Sequence, residues 1–264
     1  MGTENARLRG ALNTAGLSAE RLGELVGVDP KTVGRWISDA ARIPHRAHRL
    51  ATADLLGMSE SFLWPAVASD PRTAQASTAE LVAFYPTRSA VPTELWKSLV
   101  TDAKHRIDVL VMAGLFLPEQ QDVSTLAARA GGGLKVRLLL ADPASDAVLL
   151  RGREEGFGLG LCHRVVLALR YYEHLTGLPG VELRLHGTTL YNSLFRSDDT
   201  LLVNAHLYGS PAGHNPVLHL HRVPGGQVVE RYLTSFDKVW AGARACTDID
   251  AVLSDFEKRI HGQA

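Results

Sequence analysis

Two sets of polar and charged side chains in this 264-residue chain are spaced so that each set can act on a single target. The first is cationic. Lys31, Arg35, Arg42, Arg46 and Arg49 all fall within residues 31–49, where Asp39 is the only acid, although the whole chain balances 28 Lys and Arg against 28 Asp and Glu. Neutralising nucleic-acid phosphates requires such local clustering, not a high overall charge. Thr32 adds a hydroxyl to the same run. Lys31, Thr32 and Arg35 are therefore candidates for base edges, and Arg42, Arg46 and Arg49 for phosphates. The second set lies in YNSLFRSDDTLLVNAHLYG, residues 191–209. Asn192, Arg196, Asn204 and His206 offer amide, guanidinium and imidazole groups suited to an anionic or phosphate-bearing ligand, with Arg196 as the charge anchor. His186 and Arg88 are further candidates for that pocket. The alternative is structural: Arg196 pairs with Asp198 or Asp199, Asn204 and His206 finish strand ends, and Arg88 is a loop charge.

The cations need a helical carrier, and residues 18–49 supply one. Ser18 is an N-cap for a helix that would bury Leu22, Leu25 and Val26 and stop at Gly27. Asp29 caps a second helix with Pro30 at its first position, where a missing N–H costs nothing. Its apolar face is Val33, Trp36 and Ile37, which leaves Lys31, Thr32 and Arg35 outward. An ordinary bundle with a solvated basic face is the other reading. Ala6, Leu8, Ala11, Leu12 and Ala15 predict a helix ending at Gly16, and residues 48–56 and 59–64 predict two more. With these flanks, VDPKTVGRWIS, the basic run, LLGMS and LWP resemble the XRE type of the lambda-repressor/Cro superfamily, actinobacterial members especially, over residues 1–65. The resemblance implies an all-α, five-helix helix-turn-helix bundle with the helix from Pro30 in the major groove.

The second set needs a sheet. AVASDPRTAQASTAE is expected to be a linker, residues 66–80, and from about residue 81 the pattern changes. IDVLVMAGLFL and LKVRLLL predict strands buried on both faces, and helices are expected at 93–103, 124–130 and 161–175. VELRLHG, TLYNSLFRSD, TLLVNAHLY and PVLHLHRV follow as strands, then a helix at 235–245. This is an α/β domain with a mixed sheet over residues 81–246, followed by an amphipathic helical tail, residues 247–264. Alternation puts Asn192, Leu194, Arg196 and Asp198 on one strand face and Tyr191, Ser193, Phe195 and Ser197 on the other. The expected pocket requires the Asn192/Arg196 face to meet the Asn204/His206 face.

The rhythm of residues 191–209 resembles the phospholipase D-like fold, whose active half carries His-x-Lys-x-x-x-x-Asp on a strand. Aligned on Asp198, that pattern puts Tyr191 at the histidine position and Ser193 at the lysine position, with the small polar pair near Asn204 and Ala205. The resemblance covers residues 85–245 and implies a phospholipase D-like domain without that catalysis, since Tyr and Ser supply neither the imidazole nucleophile nor the cation.

Other signals bound the reading. GREEGFGLG, residues 152–160, lacks the order of a dinucleotide-binding turn and is expected to be a mobile loop or a lid. His219 and His221 share a strand face without a third ligand, and Cys162 and Cys246 make no disulfide framework, so no metal or cofactor is expected. MGTENARLRG has no apolar segment and no run approaches the ~20 apolar residues of a membrane span, which predicts a cytoplasmic protein. The expected function is a non-enzymatic transcriptional regulator. It would bind a double-stranded, palindromic operator as a homodimer through residues 80–264 and sense a small-molecule effector. The alternatives are a DNA-targeted nuclease or phosphotransferase around His206, Asp198 and Tyr191, and a partner-docking regulator without a ligand.

Overall fold

Asn5, Ser18, Asp29 and Ser59 each place a side-chain oxygen on the first free amides of a helix, and the helices they cap build a compact unit, residues 1–78. The computed structural model describes residues 3–68, 71–120 and 123–261. In order these helices are α1 (Ala6–Thr14), α2 (Ala19–Val26), α3 (Pro30–Ser38), α4 (Arg46–Leu56), α5 (Glu60–Leu63), α6 (Pro65–Ala68) and α7 (Pro71–Ala79). Leu8, Leu22, Val33, Trp36, Leu63 and Trp64 form their shared core, in which the two indoles meet edge-on with centroids 6.3 Å apart. Asn5 ties three helices together: its side-chain amide donates to the Leu63 carbonyl at 2.9 Å and its backbone N–H to the Ile37 carbonyl at 2.8 Å. One expectation fails here. Leu25 is 45% exposed, because it lies about 100° round the helix from Val26, off the buried stripe. The segment 66–80, expected to be a linker, is largely helical in α6 and α7; its alanines favour helix without any apolar period, and residues 69 and 70 lie outside the described residues.

The second unit, residues 79–264, is a mixed eight-stranded sheet flanked by helices. Its strands are β1 (Leu81–Tyr85), β2 (Arg106–Leu110), β3 (Lys135–Ala141), β4 (Val181–His186), β5 (Asn192–Ser197), β6 (Thr200–Ala205), β7 (Val217–His221) and β8 (Arg244–Ala245), in the order β1-β7-β6-β5-β2-β3-β4-β8. β2, β3 and β4 run parallel and the other pairings are antiparallel. The helices are α8 (Thr93–Thr101), α9 (Phe116–Gln120), α10 (Val123–Gly131), α11 (Asp146–Glu154), α12 (Gly160–Tyr172), α13 (Val228–Gly242) and α14 (Ile249–His261). Leu138, Leu139 and Leu140 are fully buried, as a parallel strand covered on both faces requires.

The structure departs from the sequence pattern at several points. The strand expected through IDVLVMAGLFL stops at Leu110, and the chain turns at Gly114 before re-forming as α9. Gly114 has φ +84°, and a Cβ there would lie 2.9 Å from the Leu140 side chain. The expected separate tail is α14, which buries Ile249, Val252 and Phe256 in the core of the sheet domain; residues 262–264 lie outside the described residues. The glycine loop at 152–160 is closely packed: Phe157 and Gly158 N–H groups both donate to the Gly152 carbonyl at 2.8 Å. Among the described residues no helix is long and apolar enough to cross a membrane.

Candidate functional sites

The turn between α2 and α3 is tight enough that position 23 tolerates no side chain, since a Cβ on Gly23 would lie 2.7 Å from the Val28 carbonyl. Gly27 closes α2 at φ +73°, and the Asp29 carboxylate accepts from the Lys31 N–H at 2.8 Å to start α3. Burial of Val33 and Trp36 then fixes the rotation of α3, which leaves Lys31 and Arg35 exposed and Thr32 half-buried. Among the described residues the side chains of Lys31, Arg35 and Arg46 make no ion pair, and Arg42 is 3.9 Å from Asp39.

Arg49 is not available for phosphate. Its side chain, 13% exposed, donates to Glu60 at 2.9 Å and to the Pro44 carbonyl at 2.8 Å, locking the start of α4 to α5. Arg49→Ala therefore removes a charge-assisted pair and should cost about 1.5–3 kcal/mol of stability in chemical unfolding. It should leave the salt dependence of any DNA binding unchanged, whereas a phosphate contact would lower the salt slope by about one.

In the sheet domain, the two-residue turn at Asp198 and Asp199 sets the register Ser197↔Thr200, and hence Ser193↔Asn204. Paired residues share a face, so Asn204 and His206 lie with Ser193 and Phe195 and not with Asn192 and Arg196. The expected meeting of the Asn192/Arg196 and Asn204/His206 faces does not occur. Arg196 instead donates to Asp108 at 3.0 Å and to the Asp198 carbonyl at 2.7 Å, on the face away from Ser193. Asn204 is fully buried and donates to the Asn215 and Pro216 carbonyls at 3.2 Å. His186, 3% exposed, is spent on the Val111 carbonyl at 3.1 Å, and burial pushes its pKa down. Asp198 is structural too. Burial pushes its carboxyl up, but the N–H groups of Lys104, His105 and Arg106, at 2.7–2.9 Å, outweigh that and hold it below the usual carboxylate range.

Of the six candidates, Arg88 and His206 line one cavity of about 340 Å3, together with Ser193, Phe195, Phe116 and Arg164. The Ser193 hydroxyl lies 3.0 Å from His206 Nε2, and His206 Nδ1 lies 3.3 Å from the Leu190 carbonyl. A carbonyl only accepts, so Nδ1 carries the proton and Nε2 accepts from Ser193. Burial, with Arg151 nearby, pushes the imidazole down to about 4, so it is neutral near pH 7. Arg88 stacks over Phe116 at 4.2 Å and Arg164 over Phe157 at 5.0 Å, and among the described residues neither makes an ion pair. Glu155, also in the wall, is taken up by Arg151 at 2.6 Å, which leaves the cavity with two cations and one rim carboxylate, Glu119. Sequence reasoning missed Ser193, Arg164 and the phenylalanine wall. The turn at residues 198–199 was the signal that could have paired Ser193 with the Asn204/His206 face. Tyr191, at the histidine position of the phospholipase D-like pattern, is 81% exposed. No group of three or more metal-ligating side chains occurs among the described residues.

A family model for a domain of unknown function (DUF5919) matches residues 77–171. No curated protein matches the chain. Among solved structures, the chain is similar to TrmBL2, an archaeal chromatin protein whose structure shows a novel mode of DNA binding, with a TM-score of 0.40 and 13% identity over 92% of this chain and 93% of that one. It is also similar to the phosphatidylserine synthase of Haemophilus influenzae Rd KW20, with a TM-score of 0.45 and 12% identity, over 63% of this chain and 39% of that one.

Proposed function

We propose that the protein is a sequence-specific DNA-binding transcriptional regulator of the XRE type, with a phospholipase D-like second unit that binds a small anionic effector. The observation that carries the reading is α3. It has its apolar face buried, its N-terminus capped, and Lys31 and Arg35 projecting without an ion pair among the described residues, next to Arg42 and Arg46. A helix presented in this way suits the major groove, with base contacts from its first turns and phosphates taken by the flanking cations. A homodimer through the second unit would space two such helices about 34 Å apart and read a palindromic operator.

The effector site in this reading is the Arg88/His206 cavity. Two guanidinium groups over an aromatic wall, without an ion pair among the described residues, favour an anion with an apolar body. The residues at the phospholipase D-like histidine and lysine positions, Tyr191 and Ser193, do not support phosphodiester chemistry. Effector binding regulates only insofar as it differs in affinity between DNA-competent and incompetent states.

Arg35→Ala tests the DNA half of the proposal. Fluorescence anisotropy on a selected duplex should show a loss of about 1–3 kcal/mol, roughly 5- to 150-fold, with Arg88→Ala leaving the affinity unchanged. Equal losses in both variants would remove the division of labour.

A further inference from the structure

We propose that Ser193 is an activated nucleophile with His206 as its base, and that an anionic ester entering the cavity transfers its acyl group to Ser193. The inference rests on the reading that this cavity receives a small anionic molecule.

Three groups linked by two hydrogen bonds carry it. The Leu190 carbonyl holds Nδ1–H, which fixes the tautomer and ring orientation, and the Nε2 lone pair faces the Ser193 hydroxyl at 3.0 Å. This is the relation a nucleophile needs to its base, with a third group orienting the base. Both side chains sit on adjoining parts of the sheet hairpin, Ser193 within β5 and His206 one residue past the end of β6, so the pair is held by strand register and not by a loose loop. Burial leaves the imidazole neutral at pH 7, so its Nε2 lone pair is free to accept from Ser193, and the same burial makes it a weak base that works through its position. Both residues face the cavity, where Arg88 and Arg164 await an anion and Phe195 and Phe116 supply an apolar wall.

The step balances without a further reactant. Ser193 Oγ attacks the ester carbonyl carbon while its proton passes to His206 Nε2. The ester C–O bond then breaks, and the leaving alkoxide takes that proton from Nε2. The products are an alcohol, a neutral His206 and an acyl ester on Ser193. The base is oriented by a carbonyl and not by a carboxylate, so it lacks the charge that stabilises an imidazolium in a Ser-His-Asp triad. A receptor acylated by its effector fits this arrangement.

Two probes test the proposal on the full chain. Intact mass after incubation with an alkyl fluorophosphonate should show one adduct, mapped to Ser193, absent in Ser193→Ala and formed about 100-fold more slowly in His206→Gln. Mono-(4-nitrophenyl) succinate should release one equivalent of nitrophenolate faster than neutral 4-nitrophenyl acetate does, with that preference lost in Arg88→Ala. No adduct on folded wild-type protein, or an equal rate in His206→Gln, overturns the nucleophile. A Ser193 adduct without preference for the anionic ester keeps the nucleophile but overturns the anion-binding reading of the cavity.

Discussion

Asp108→Ala is expected to destabilise the sheet domain by about 3–5 kcal/mol. Asp108 lies on β2 with no exposed surface, and its two oxygens accept from Arg137 at 2.6 and 2.9 Å and from Arg196 at 3.0 Å. Arg137 is itself held over the Phe236 ring at 4.5 Å and reaches Asp237 at 2.9 Å, so it cannot turn out to water without leaving α13. Removing the carboxylate leaves Arg196, 13% exposed, with no carboxylate partner among the described residues, and Arg137, 17% exposed, with only the exposed Asp237. Against the roughly 5–15 kcal/mol that holds an ordinary domain together, that loss is a fifth or more. Urea unfolding followed by tryptophan fluorescence measures it, and a loss below 1 kcal/mol would mean that the three groups are solvated as individuals. Replacing all three with apolar residues of similar size should recover most of the stability, because the cost lies in the unpaired charge.

Trp36→Ala should cost about 3–5 kcal/mol in the helical unit and abolish DNA binding without touching DNA. The indole is 5% exposed and packs between Trp64 and the His48 ring, each at 6.3 Å. A unit of 78 residues has roughly 4–12 kcal/mol to lose at about 0.05–0.15 kcal/mol per residue. Trp36 also sets the rotation of α3, so the cavity lets the helix roll and moves Lys31 and Arg35 off the face proposed to meet DNA. Circular dichroism should show an early helical transition, and Trp36→Phe should restore both properties in part. Full DNA affinity in Trp36→Ala would mean that the exposed face of α3 is not the reading face.

What the sequence showed and what it hid divide by how far apart the deciding partners lie. The ends of α2 and α3 are written locally, in Ser18, Gly27, Asp29 and Pro30, and were legible. The start of α13 was not: it begins at Val228, seven residues before the expected 235, because its first amides are capped by the Glu80 carboxylate, which accepts from Val228 N–H at 2.7 Å. Glu80 is fully buried in this role, at the end of a segment that read as linker. The same distance effect misassigned three cations and polar groups. Arg49 is spent on Glu60, Arg196 on Asp108 and His186 on the Val111 carbonyl, partners that no local pattern announces. β1 was missed since it is a short edge strand whose Leu81, Val82 and Phe84 stay exposed, giving no alternation to read. The cavity was half legible. Arg88 and His206 stand out by residue type, whereas the sequence presents Ser193 only as the residue at the lysine position of the phospholipase D-like pattern.

Selection of random-sequence duplexes by the full chain tests the central claim most directly. If α3 reads DNA, the retained pool converges on an inverted repeat with half-sites about one helical turn apart, and binding to it weakens steeply between 50 and 200 mM salt. A pool that stays random at low salt, with no duplex held above the non-specific level, would contradict a DNA-reading function for this chain.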